Sequence, residues 1–245
     1  MAEASLEAPK TAATGDGGRL RRVDWLVLAI CGAWAILLSF VGWPALIYRT
    51  FVSNSSIDSA FFALAGDLLR SGGTPYVTYW DHKPPLIHLI NAAGLTLSGG
   101  HVWGVWFMSL TAVLTALGLG YRALRHAFGV PGALLGITYF VFSLPGILAF
   151  NLTEWYALPL QWASVLLLVR WNPDSNRDFF LGFGLGILAT LGFLLRANLI
   201  GAAVSVGLAL SVVLLFRGRI VSWLRLVAGA TTGVLLVAAA LLVYL

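Results

Sequence analysis

The chain has 245 residues, of which 59% are hydrophobic and only 10% charged, with a net charge of +5. A mean hydropathy of +0.88 excludes an ordinary soluble domain and fits helices that are apolar outside as well as inside, as in a bilayer. The basic residues fall between apolar runs, which makes them topology signals rather than a nucleic-acid surface, and a single cysteine, Cys31, excludes an internal disulfide and a cysteine-based metal site.

Residues 1–22 are rich in Ala, Glu, Pro, Thr and Gly and end in Arg19, Arg21 and Arg22. This composition predicts a disordered cytoplasmic tail with a basic stop. The apolar run after it is too long for a signal peptide and has no clear small-residue cleavage site. A span needs about 20 apolar residues. Seven candidates follow in order: 25–48, 102–124, 131–150, 154–170, 179–195, 198–216 and 220–245. The expected fold class is therefore an all-α polytopic membrane helix bundle, occupying 23–245. With the N terminus inside, the inner segments hold 11 basic residues and the outer segments four, Arg49, Arg70, Lys83 and Arg196. The positive-inside rule then gives a cytoplasmic N terminus in the cell membrane. The last run ends at "LLVYL" with nothing polar after it, so a chain cut short of its natural end is expected.

The outer loop 49–101 carries helical signals of its own. Ser55 and Ser56 are N-cap candidates. Ile57, Phe61, Leu64 and Leu68 recur at helical spacing, Asp67 and Arg70 stand at i, i+3, and Gly72 and Gly73 supply a stop. An amphipathic helix in the membrane interface is predicted. "TPYVTYWDHK" reads as a turn segment. Pro84 keeps Lys83 out of helical geometry, and the two prolines open a second interfacial helix that runs to about Ser98, before Gly99 and Gly100.

The acids sort by side. Glu3, Glu7, Asp16, Asp24, Asp174 and Asp178 fall on the inner side, in the tail or in a hydrophilic turn, and need no function. The outer acids, Asp58, Asp67, Asp81 and Glu154, sit beside apolar helices, where a carboxylate must be paired or hydrated. Asp58 is either a favourable acid at a helix N terminus or a general base at the membrane surface. Asp67 reads as a surface partner of Arg70. Asp81 is a turn acid beside Lys83 or part of a polar site. Lys83, held by two prolines, is a point charge suited to a phosphate, against the plainer reading of a snorkelling lysine. Glu154 and Arg196 stand at outer span ends. Arg196 either anchors at headgroups or holds a lipid phosphate. His82 and His88 offer, with Asp81, only weak metal-site spacing and read as bystanders, although a divalent metal remains open as a cofactor.

The stretch "IDSAFFALAGDLLRSGGTPYVTYWDHKPPLIHLINA" resembles the first outer loop of the GT-C glycosyltransferases, in particular the polyprenyl-phosphate-sugar transferases. That group includes protein mannosyltransferases and the lipid A aminoarabinose and galacturonic acid transferases. The shared elements are Asp58, Phe62, Gly72 or Gly73 with Pro75-Tyr76, and Asp81 to Leu86. "NLTEWYALP" is similar to the family's second outer motif, and "LLRANLIG" to its arginine-bearing fifth span. The resemblance implies transfer of a sugar from a polyprenyl-phosphate donor to a glycan, lipid or protein hydroxyl on the periplasmic or extracellular face. It implies Asp58 as the base or acceptor-orienting acid, Lys83 and Arg196 on the lipid phosphate, Glu154 in the same cavity, and Asp81 and Tyr76 shaping the loop. Many relatives carry Asp-Glu where this chain has Asp58-Ser59, and relatives add further spans and often an outer domain. Two other classes compete. One is a polyprenyl-lipid transporter, which favours repeats and broken helices at the midplane. The other is an inactive fragment or a non-catalytic lipid-binding subunit.

Overall fold

A computed structural model describes residues 22–48, 54–143, 151–173 and 175–244. The predicted tail, save Arg22, lies outside the described residues, as do Arg49 and the last part of the third predicted span. Among the described residues the order is α1 Arg22–Tyr48, α2 Asn54–Arg70, α3 Leu86–Leu97, α4 Trp103–Ser143, α5 Thr153–Val169, α6 Asp178–Leu195, α7 Gly201–Phe216 and α8 Ile220–Tyr244, with a 3-10 turn over Ala197–Ile200. They form no β-strand, only one bridge between Pro75 and Tyr79.

Four of these stretches are long and apolar enough to cross a membrane: Trp103–Val141, Asp178–Leu195, Ala197–Phe216 and Ile220–Val243. The count of seven does not carry over on length and composition. The first predicted span falls on α1, whose side chains are described only as far as Leu37, an apolar stretch of Asp24–Leu37. The fourth falls on α5, with 17 residues. The second and third merge into α4.

That merged element is a hairpin. Gly129 lies at φ 71°, ψ −173°, a region essentially closed to other residues, and Pro131 suits the first turn of the returning helix. A Cβ on Gly136 would stand 2.6 Å from Leu124 Cδ1, yet in a straight helix twelve residues span about 18 Å. The chain must therefore double back, giving antiparallel arms 103–128 and 130–143. Val113, Leu117 and Tyr121 of one arm and Ala133, Ile137 and Val141 of the other share an apolar core with Cys31, Ala35 and Trp155.

A second core joins α6, α7 and α8 through Leu185, Val206, Leu210 and Leu226. Gly182 and Gly186 of α6 face Leu226 and Ala230 of α8, and Gly229 and Gly233 face Phe179 and Phe183 in return. Contacts advance in the same direction along both helices, so they run parallel. Small residues four apart let the backbones approach closely, the packing favoured where lipid supplies no hydrophobic drive. Outward residues such as Leu208, Phe216, Leu235 and Leu242 stay exposed, as a lipid-facing surface requires.

Helix α2 starts at Asn54, so Ser55 and Ser56 lie inside its first turn rather than capping it. Its buried face is Ser59, Phe62, Ala65 and Gly66, while Leu64, on the apolar stripe that the sequence assigns to the membrane interface, is exposed. The rotation follows from size: a Cβ on Gly66 would meet Asn91 Cβ at 2.6 Å, so α3 seats on the small-residue side of α2.

Candidate functional site

Asp58 projects from the second turn of α2, and Lys83 ends the turn segment that leads into α3. Lys83 Nζ stands 3.0 Å from Asp58 Oδ2; the lysine side chain is 6% exposed and the aspartate 56%. The ammonium also sits 4.4 Å from the centroid of the Phe62 ring, where the aromatic face favours a cation. Its backbone is clamped on both sides. Lys83 N–H donates to Asp81 Oδ1 (3.2 Å), and the Tyr76 hydroxyl donates to Lys83 C=O (2.8 Å). Tyr76 takes φ 63° to reach it, a strained conformation that persists only where surrounding contacts enforce it. Burial, with Asp81 nearby, pushes the Tyr76 phenol above its usual range, so it stays a protonated donor.

Asp81 is buried and holds more than Lys83. Its Oδ2 lies 2.9 Å from His88 Nε2, and its Oδ1 lies 3.3 Å from His82 Nδ1, on an exposed imidazole. The expectation that both histidines are bystanders is therefore corrected for His88. It is fully buried among the rings of Phe61, Phe62 and Tyr79. Burial holds its imidazole below the ordinary range, outweighing the upward pull of Asp81. The sequence signal was a histidine one turn into an apolar helix, seven residues from an acid. Among the described residues no group of three or more His, Cys, Asp or Glu is placed to hold a metal ion.

The other expected pair forms at the junction of α5 and α6. Arg196 follows the last residue of α6 in extended geometry and donates to Glu154 Oε1 at 2.7 Å, both side chains being about half exposed. Thr153 Oγ1 holds the other Glu154 oxygen at 3.0 Å. One apolar cluster connects the two pairs: Phe62, which underlies Lys83, packs with Ile87, Tyr156, Ala157 and Leu195, the last beside Arg196. Asp67 pairs with Arg70 at 2.7 Å, as its spacing predicts. Each cation at this end of the bundle among the described residues thus wears a carboxylate.

Beneath the pairs runs a buried network that sequence reasoning missed. Asn91 and Asn151 exchange amide hydrogen bonds at 3.0 and 2.8 Å. Asn151 also donates to Ser59 C=O and accepts from Tyr156, whose hydroxyl meets Ser109 Oγ at 2.7 Å. The network ties α2, α3, α4 and α5 together. Two asparagines inside otherwise apolar runs were its visible signal.

The opposite end of the bundle holds Asp24, fully buried, bonded to the Tyr121 hydroxyl and 2.7 Å from Arg125, and Asp178, buried and accepting from Trp171 Nε1. Each pins a helix start to its neighbour, a structural role. No family model, no curated protein and no solved structure matches this chain.

Proposed function

We propose that the chain is a membrane glycosyltransferase that moves a sugar from a polyprenyl-phosphate donor to a hydroxyl acceptor on the non-cytoplasmic face of the cell membrane. The observation that carries this reading is the contact of a half-exposed carboxylate, Asp58, with a buried, clamped ammonium, Lys83, at 3.0 Å. A base and a phosphate ligand in contact are what one displacement at a sugar carbon needs. The acceptor hydroxyl attacks the anomeric carbon, Asp58 takes its proton, and the bond from carbon to phosphate oxygen breaks. The phosphate leaves with the electron pair, and Lys83 and Arg196 neutralise it. Glu154 hands Arg196 to the phosphate, and Asp81 and Tyr76 hold the loop.

The resemblance of the Lys-Pro-Pro loop to GT-C enzymes supports the same reading. The same reading takes seven spans, with the reversal at Gly129 dividing α4 into two crossings and the 27 residues of α1, a helix about 40 Å long, as the first. In this arrangement α2 and α3 lie in the outer interface, with the bilayer as a partner.

A second reading is a non-catalytic lipid-binding subunit. It is favoured by the closure of every described cation at this end in an ion pair. The assay uses proteoliposomes of the full chain, a radiolabelled polyprenyl-phosphate sugar and a membrane extract as acceptor source. Transfer by the wild type, with a loss of about a hundredfold in Asp58→Asn and in Lys83→Ala, is the expected result. Transfer that is absent, or indifferent to both changes, contradicts the proposal.

A further inference from the structure

We infer that His88, acting through Asp81, is a positioning residue that fixes the Lys83 ammonium. Four observations converge on it. Lys83 N–H is held by Asp81 Oδ1 at 3.2 Å, so the carboxylate sets where the lysine backbone lies. The second oxygen of that carboxylate is held by His88 Nε2 at 2.9 Å. A carboxylate only accepts, so the imidazole hydrogen is on Nε2. His88 Nδ1 is then a bare lone pair, buried and with no hydrogen-bond partner among the described residues. A buried polar atom left unpaired is costly, and an apolar residue of similar size would avoid that cost. The one hydrogen bond that offsets this cost is the donation from Nε2 to Asp81.

The same imidazole packs against Phe62 at 6.1 Å between centroids, and Phe62 is the ring under Lys83 Nζ. His88 thus supports both the backbone clamp and the aromatic seat of the ammonium. It makes no hydrogen bond to the ammonium or to Asp58, whose own partners are each other, which makes it a support rather than a ligand.

The chain has only two lysines, Lys10 and Lys83, so amine acylation followed by peptide mass spectrometry reads Lys83 shielding with Lys10 as internal reference. This readout is independent of any enzymatic activity. His88→Leu removes the donor. His88→Gln places an amide N–H near the Nε2 position and is the rescue. Both are compared in detergent-solubilised full chain with wild-type elution behaviour.

The expected result is Lys83 acylation about tenfold faster in His88→Leu, with His88→Gln close to wild type. Equal rates in wild type and His88→Leu, or a glutamine variant as reactive as the leucine one, overturn the inference. A second readout rests on the reading of Lys83 as a phosphate ligand: binding of a polyprenyl phosphate should weaken by a similar factor in His88→Leu and recover in His88→Gln. Should acylation respond as expected while binding is the same in wild type, His88→Leu and Lys83→Ala, the positioning role stands and the phosphate reading falls.

Discussion

Lys83 Nζ has two neighbours that define it, the Asp58 carboxylate and the Phe62 ring. A solvated lysine has neither need, since an exposed ion pair contributes at most about 1 kcal/mol. The difference lies in Asp81 and His88, whose burial commits the loop to one geometry. That commitment has a pH signature. His88 titrates below its unfolded value because of burial. As pH falls through about 6.5, the unfolded chain takes up a proton that the buried imidazole refuses. Stability is therefore full above that value and is lost on acidification below it. The groups facing His88 are Asp81, which opposes this, and Lys83, which reinforces it. Thermal unfolding of purified protein should show a midpoint that drops between about pH 7.5 and about pH 5, with a shallower drop in His88→Gln. Equal slopes would contradict the assignment.

At the scale of elements, turn chemistry was legible and faces were not. The break between the predicted spans 102–124 and 131–150 was legible, and Gly129 and Pro131 make it a hairpin, because one takes a backbone conformation closed to other residues and the other opens a helix. Gly72, Gly99 and Gly100 ended their helices at positive φ. Which side of α2 is covered by α3 was not legible, because Phe61 and Phe62 are equally apolar and periodicity cannot say which neighbour has room. That choice was made by Gly66 against Asn91. His88 was undervalued for a related reason: its partner lies across a turn, and sequence spacing does not show a hydrogen bond. The glycines of α6 were visible as composition, but their partners, Gly229 and Gly233, sit on a helix two elements later. A Cβ on Gly186 would collide with the Ala230 carbonyl oxygen, backbone that cannot move aside. Gly186→Val should therefore destabilise the α6–α8 pair by about 1–3 kcal/mol, read as a lower midpoint in SDS unfolding. Gly207→Val is the comparison, since a Cβ there meets nothing within 4 Å. Equal midpoints would refute the close parallel packing.

Across the whole molecule, charge is sorted to two ends. Asp24, Arg125 and Asp178 lock helix starts at one end. Asp58, Lys83, Glu154 and Arg196 gather at the other, on a shared apolar floor of Phe62, Tyr156 and Leu195. The buried asparagine network fastens the helices that carry them, each bond contributing about 1 kcal/mol. Half-exposed carboxylates over a buried apolar floor would suit, on the proposed function, an anion that enters and displaces a carboxylate. On that function, an anionic headgroup binding there would replace Asp58 on Lys83 and free the carboxylate to act as base, which would make binding and activation one event. The central claim is that Lys83 recognises a lipid phosphate. Equilibrium binding of a polyprenyl phosphate and of the matching neutral polyprenol, to wild type and to Lys83→Ala in nanodiscs, tests it most directly. The account predicts that wild type prefers the phosphate by about tenfold or more and that Lys83→Ala loses the preference while keeping the polyprenol affinity. Equal affinity of wild type for the two lipids, or a preference that survives in Lys83→Ala, would contradict it.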